Sequence, residues 1–536
     1  MSTTPTLPDR AAPARVTPAW RRAAPLRLLT PGALSPRTPS WVTLLVALAV
    51  AVGVVARLHS PSALWLDEAL SVGIARRPVP ELLRALRQDG SPPVYYLLLH
   101  VWTGVFGLSD TAVRALSTVL SLAALPVVWL AGRRLGGPGT ARAALLLLAA
   151  SPFAVRYATE TRMYALVQLL AALGVLAVLR ALERPSVGRL LPVTVLSALL
   201  ALTHYWALFL LAAAALVLLA LSVRGARPAG RTLGALAAGG VLFLPWLPTF
   251  WFQVHRTGTP WAPPPHLVDV WYSVTGWAGG GEGAAVLLTL LLAGLALLAL
   301  VGRVGTEGTV VLGTRVDRTA LLLLAVSAGT LALGLLAGMV VHAGYSPRYS
   351  SVALAPALLL AALGLRALPG RGRALVLALA TVCGLLTSLP MLSSTRRTQA
   401  AETAALLRGQ LAPGDVVAYC PDQLGPAVSR LLPAGTDQLV YPSSADPELV
   451  DWVDYAQRNA AASPQLFADR LSTRTPGAVW LVSAGGYLTF GRQCEELDEA
   501  LARLRGQAVV FQRQSGAFDE QEAVRRYPPA GTAATG

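Results

Sequence analysis

The sequence predicts an all-α polytopic membrane protein of about eleven transmembrane helices with added interfacial helices, followed by a small exoplasmic α/β domain. Three observations carry that reading. Of the 536 residues, 54% are apolar and 13% charged, about half the charged fraction of a soluble protein, and the mean hydropathy is +0.55. Apolar stretches of about 20 residues recur, the length that a bilayer core of ~30 Å requires. Charge is also divided, because residues 1–397 hold 33 Arg against 12 acids and residues 398–536 hold 11 Arg against 16 acids. A soluble enzyme is excluded. The basic half is the membrane half, so its excess charge marks cytoplasmic loops, and no nucleic-acid partner is expected. Every basic residue is arginine, a sign of GC-rich coding that points to a bacterial plasma membrane.

Residues 1–40, rich in Pro, Arg, Ser and Thr without an apolar run, read as a disordered cytoplasmic tail. A membrane domain follows over 41–395. Its first span, 41–58, leads out into a loop, 59–110. Within that loop, 93–107 (PPVYYLLLHVWTGVF) is short for a crossing and is placed in the interface. Further spans then fall near 111–132, 141–157, 162–182, 188–203, 204–223, 231–250, 283–302, 319–342, 349–366 and 372–391. This register puts the loops at Arg133/Arg134, Arg184/Arg189, Arg224/Arg227/Arg231, Arg303/Arg315/Arg318 and Arg366/Arg371/Arg373 inside, as the positive-inside rule asks. An outer loop, 251–282, belongs to a stretch holding Trp246, Trp251, Trp261, Trp271 and Trp277. Those indoles read as an interfacial aromatic belt, in preference to a cover that stacks on the site.

An odd number of spans with the N-terminus inside leaves residues 396–520 outside, with a flexible tail over 521–536. Runs at 415–420, 437–441, 478–483 and 507–511 have strand character, and 423–432 and 494–505 have helical periodicity. Cys420 and Cys494 share this module; a disulfide or two separate buried thiols are equally compatible with the sequence.

The same topology gathers four polar clusters on the outer face: Asp67–Glu68, Glu160 with Arg162, His204–Tyr205, and Arg348–Tyr349. Each has a bland reading alone, as a helix-start acid, an ion pair, a helix-end residue or a headgroup anchor. Four on one face favour a site, because ionisable groups at membrane depth are costly. A carboxylate there can take a proton from a hydroxyl nucleophile. An arginine can hold a phosphate leaving group through paired hydrogen bonds, and His and Tyr can orient a sugar. His100, Tyr95 and Tyr96 fall near the acids on the interfacial segment, where packing is the simpler role.

The segments LWLDEALSV, DGSPPVYYLLLHVW, SPFAVRYATETRMYAL and LTHYWALF, in that order, resemble the GT-C glycosyltransferases. The nearest group is that of the protein O-mannosyltransferases and the lipid A aminoarabinose transferase. The resemblance extends over residues 41–366 and is strongest over 62–210. It implies a GT-C fold and transfer of a sugar, mannose or a related pentose or hexose, from a polyprenyl-phosphate donor. The acceptor would be a hydroxyl of a cell-envelope glycan, glycolipid or protein. Inversion at the anomeric carbon is implied, with Asp67 as general base, Glu68 beside it, and Glu160 contacting sugar or acceptor. Arg348, Tyr349, Arg162, His204, Tyr205 and His100 would bind donor phosphate and sugar. No cofactor is implied. A divalent metal serves relatives with pyrophosphate donors, and Glu160 next to Arg162 disfavours one here. The competing readings are a transporter or flippase for a lipid-linked sugar and a catalytically silent scaffold. The nearly pure Leu/Ala/Val central spans and the lack of a repeat disfavour transport.

Overall fold

A computed structural model describes residues 40–305 and 308–530; the tail expected over 1–40 falls, apart from Ser40, outside them. Helix α1 (Ser40–Val55) is followed by three short helices, α2 (Leu66–Ala75), α3 (Val79–Asp89) and α4 (Val94–Phe106), none long enough to cross a bilayer. The segment 93–107 therefore forms the expected short helix beside the bundle, burying Tyr95, Tyr96 and Leu99 and exposing Val101 and Val105.

Ser109 opens α5 (Asp110–Ala149) by accepting a hydrogen bond from the Ala112 N–H. This element is two helices, because Gly137 stands at φ 80° and Pro138 follows it. Glycine adopts that backbone without a Cβ clash, and proline starts the second segment, where its missing N–H costs nothing. The return brings Gly132 against Ala141 and Ala144. After α5 come α6 (Pro152–Ala158), α7 (Tyr164–Glu183), α8 (Val187–Ala201), α9 (Ala207–Val223), α10 (Arg227–Val241), α11 (Leu247–Arg256) and α12 (Asp269–Trp277). The bundle is completed by α13 (Gly283–Val301), α14 (Arg318–Val341), α15 (Ser351–Gly364) and α16 (Gly370–Ser388). Seven helical stretches among the described residues are long and apolar enough to span a membrane, and α1, α8 and α9 are shorter apolar helices at three further expected spans. The span expected over 141–157 is interrupted: the helix stops at Ala149, and Ser151 caps a new one. Between α13 and α14, β1 (Gly302–Val304) and β2 (Val310–Leu312) pair as a small antiparallel ribbon that the sequence did not suggest.

Small residues let the helices touch backbone to backbone. A Cβ on Gly364 would lie 1.9 Å from the Leu295 carbonyl oxygen, and one on Gly53 would lie 2.3 Å from that of Ala149. Arg57, fully buried, donates to the carbonyls of Gly53, Leu148 and Ala149 at 2.6–2.7 Å and to Ser121. It thereby satisfies carbonyls that the end of α5 leaves without helical partners. At one end of the bundle Glu183 pairs with Arg134 and Arg189. Arg366 and Arg373 line a small cavity with Gly136 and Gly139, so these basic turns share one end. The four polar clusters and the C-terminal domain lie at the other.

That domain begins with α17 (Ala400–Gln410). Its sheet contains β3 (Val416–Cys420), β4 (Asp437–Val440), β5 (Val479–Ser483), β6 (Val509–Gln512) and β7 (Ala523–Tyr527), in the order β4-β3-β5-β7-β6. The first three are parallel, and β7 joins β5 and β6 antiparallel. The flexible tail expected over 521–536 is thus corrected: Ala523–Tyr527 is a sheet strand flanked on both sides, and the domain continues through it. Alternation gives β3 and β5 two apolar faces. Val416, Ala418, Cys420, Val479 and Leu481 meet α20 (Pro464–Arg474) and α21 (Gln493–Arg505). Val417, Tyr419, Trp480 and Val482 meet α17 and α18 (Gly425–Ser429) in an apolar core continuous with that of the helical bundle. One further short helix, α19 (Tyr455–Ala460), precedes α20. Cys420 and Cys494 form a disulfide that ties β3 to α21.

Candidate active site

Consecutive residues on a helix point about 100° apart, and α2 uses this to separate its two acids. Both sit in the first turn, where the helix dipole favours negative charge. Glu68 turns inward and is wholly buried. Its Oε1 accepts from Arg114 Nε at 2.8 Å and from the Thr161 N–H at 2.9 Å, and its Oε2 accepts from Arg114 Nη2 at 2.6 Å. Arg397 Nη1 lies 3.7 Å away. Burial by itself raises this carboxyl, but Arg114 and then Arg397 outweigh it and hold it below the usual carboxylate range. With both oxygens engaged, Glu68 is an anchor for the start of α2. It is not at the cleft where it was expected to act.

Asp67 faces the cleft. Its Oδ2 accepts from Arg348 Nη1 at 2.8 Å, and Arg162 Nε stands 3.8 Å from the same oxygen. Arg162 also donates to Ser71 Oγ at 3.0 Å and Tyr96 Oη at 3.2 Å. Tyr96 in turn donates to Asp89, whose carboxyl is raised by burial against the pull of Arg162. Arg348 is carried by the 3₁₀ turn Pro347–Ser350 and lies over the rings of Trp65 and Trp261, 5.5 and 4.9 Å from their centroids. A guanidinium fixed by a carboxylate and two indoles retains its planar fork for a phosphate.

The remaining expected residues divide. His204 lies with Tyr164 and Tyr349 at ring separations of 5.8 and 5.5 Å, beneath Arg348, and its Nδ1 accepts from the Trp206 N–H. Tyr349 belongs to this aromatic wall. Tyr205 turns away, to Gln253 and Trp246. His100 pairs with the Ala75 carbonyl at the far end of α2. Glu160 is buried and lies 2.6 Å from Arg156, not on the cleft.

Sequence reasoning missed Arg114, Arg397 and Glu520, which hold α2 from three different parts of the chain. Arg397 donates to the Thr159 carbonyl and, at 2.6 Å, to its hydroxyl. Glu520 Oε1 accepts the Leu66 N–H at 3.2 Å. Arg397 had one legible signal, an arginine pair placed just past the last span. Glu520 had none. The aromatic-belt reading also needs division: Trp251 and Trp271 are exposed, Trp277 donates to Ser350, and Trp261 lines the cleft.

Residues 90–251 match the family model for dolichyl-phosphate-mannose-protein mannosyltransferase. Among solved structures, ArnT from Cupriavidus metallidurans bound to undecaprenyl phosphate is similar at 15% identity and a TM-score of 0.60, covering 91% of this chain and 98% of that one. The same protein in its apo state is similar at 15% identity and a TM-score of 0.59, with coverage of 91% and 97%. No curated protein matches by sequence. The chain therefore shares the fold of these two structures, and from the end of its first outer loop through the helices that follow it matches the mannosyltransferase family, in agreement with the expected GT-C glycosyltransferase fold.

Proposed function

We propose that the protein transfers a sugar from a polyprenyl-phosphate donor to a hydroxyl acceptor at the exoplasmic face, with inversion and with Asp67 as general base. One observation carries this reading: the 2.8 Å contact between Asp67 and Arg348 at the mouth of a cleft. A base and a phosphate clamp side by side are what such a displacement requires. The acceptor hydroxyl gives its proton to Asp67 Oδ2, its oxygen bonds to the anomeric carbon, and the bond from that carbon to the phosphate oxygen breaks.

Charge is matched through the step. A sugar phosphodiester brings one negative charge to two arginines and one carboxylate. As Asp67 becomes neutral, the departing phosphate gains a second negative charge facing Arg348 and Arg162. The exoplasmic side is supported by the basic turns at the opposite end of the bundle and by the Cys420–Cys494 disulfide, which suits an oxidising compartment. Mannose or a related sugar is the donor class suggested by the matched family's name.

The test is transfer of labelled sugar from a panel of polyprenyl-phosphate donors by the protein in proteoliposomes, with a cell-envelope fraction as acceptor. Asp67→Asn is expected to lower the rate about 10²–10⁴-fold at unchanged expression, as loss of a general base does. An unaffected rate would remove Asp67 from the mechanism.

A further inference from the structure

Above Asp67 a cleft of about 480 Å³ separates the first turn of α2 from the C-terminal domain, within the size range of small-molecule sites. Trp65, Trp261 and Arg348 line it together with Trp452 and Glu520 of the C-terminal domain, and Glu520 reaches back to the Leu66 N–H beside Trp65. Its floor includes the turn Ala484–Gly485–Gly486–Tyr487, where Gly486 stands at φ 85° and has open space where a Cβ would be. Glu520 is 6% exposed, its Oε1 is taken by Leu66, and its Oε2 makes no hydrogen bond of good geometry, although the Thr398 hydroxyl lies near the carboxyl. Trp65 Nε1, on another residue lining the same cleft, is likewise buried without a partner. Buried polar atoms are normally satisfied. Here an acceptor and a donor stand unmatched on residues lining one cleft, so its natural occupant supplies both a hydroxyl hydrogen and a hydroxyl oxygen.

From this arrangement we propose that the cleft is the acceptor site, and that the acceptor is an uncharged saccharide seated among Trp65, Trp261 and Trp452. Glu520 Oε2 receives one of its hydroxyls while a neighbouring hydroxyl faces Asp67. The inference deepens the transferase reading and rests on it. Indole faces suit the C–H faces of sugar rings, and a carboxylate oxygen suits their hydroxyls. Asp67, Asp519 and Glu520 all lie on the cleft against the single cation Arg348. In the transferase reading Arg348 is taken by the donor phosphate, so the carboxyls left on the cleft, Asp519 among them, turn away phosphorylated or uronic acceptors. A peptide would leave the three indoles without a matching flat partner.

The test uses the full-length protein in nanodiscs and has two readouts. Saturation-transfer NMR is recorded with neutral manno- and arabino-oligosaccharides, a phosphorylated sugar and a Ser/Thr-rich peptide. Transfer kinetics are recorded as each acceptor is titrated at saturating donor. Neutral saccharides are expected to bind and accept. Glu520→Gln and Trp452→Ala should each raise the saccharide KM about tenfold, as loss of one partner in a desolvated contact does, with donor KM unchanged. Glu520→Gln keeps the side-chain shape and an oxygen for the Leu66 N–H, so it separates recognition from folding. Unchanged saccharide affinity in both variants, or binding of the peptide or the phosphorylated sugar alone, would overturn the proposal. Saccharide binding that these variants weaken, without transfer from any donor by the wild type, would uphold the cleft and overturn the transferase reading.

Discussion

The Glu520 carboxylate accepts the backbone N–H of Leu66 at 3.2 Å, across 454 residues of chain. The last loop of the C-terminal domain therefore holds the first turn of the helix that carries Asp67. Arg397 does the same from behind, through Thr159 and Glu68. The position of the candidate base is set by three distant segments that converge on a single turn.

This coupling makes stability depend on pH. Burial pushes the Glu520 carboxyl up to about 7; Asp67 and Glu68 add to the rise, and Thr398 and the Leu66 N–H oppose it. Burial likewise pushes Asp422 up to about 7, against Tyr455 and Arg458 and with Asp451. For an acid whose folded pKa is raised, stability is fully present below the unfolded pKa and is lost as pH rises through the folded value. Each group should cost about 3–4 kcal/mol between pH 4 and pH 8. Thermal unfolding of the protein in detergent is expected to give a higher Tm at pH 5 than at pH 8, with a smaller difference in Glu520→Gln. An equal pH dependence in that variant would mean that Glu520 is ionised throughout.

Asp67 and Glu68 should separate by phenotype. Glu68→Ala leaves Arg114 and Arg397 buried without their carboxylate, a loss of about 3–5 kcal/mol. Its expected mark is a lowered yield and Tm. Asp67→Asn, on the partly open side of the same turn, should keep its Tm and lose its rate. Wild-type stability in Glu68→Ala would refute the anchoring role.

Arg348 tests the shape of the phosphate clamp. Arg348→Ala is expected to lower kcat/KM for the donor about 10²–10³-fold, the usual result of deleting a preorganised charge donor. Arg348→Lys keeps the charge without the planar fork and should recover only part of that loss. Full recovery by lysine would show that a point charge suffices.

Reduction should weaken the C-terminal domain more than the bundle. The Cys420–Cys494 link closes a loop with a sequence separation of 74, and removing such a link costs about 4 kcal/mol in the chain-entropy account. Proteolysis after treatment with dithiothreitol, or of Cys494→Ser, is expected to release fragments cut within 400–530 while the helical bundle stays intact. Identical protection with and without reductant would contradict this.

The sequence was most informative where a physical period was present. Apolar length marked the helices, and short continuous apolar runs marked the strands at 416–420 and 479–483, which are buried on both faces. Arginine placement separated the basic turns from the end that carries Asp67. Gly137 was read as part of a loop, and the structure has it as a one-residue reversal between two helices. The strand Ala523–Tyr527 was missed because the half-buried pair Arg525–Arg526 interrupts its apolar run. In the site, Asp67, Arg162 and Arg348 were legible as charges that have no reason to face lipid. The different fates of Asp67 and Glu68 were not legible, because adjacent acids look alike until the helix phase fixes which one meets Arg114. Glu520 was hidden as one carboxylate among several in an acidic segment.

The shared apolar core between the sheet and the bundle also has a temporal meaning. A chain emerging from the ribosome can insert α1 to α16 well before residue 520 exists. Until Glu520 is made, Leu66 lacks the carboxylate that takes its N–H, and the cleft lacks the residues of the C-terminal domain that line it. A chain cut short of residue 520 therefore has neither the tie on the turn that carries Asp67 nor the far side of the cleft.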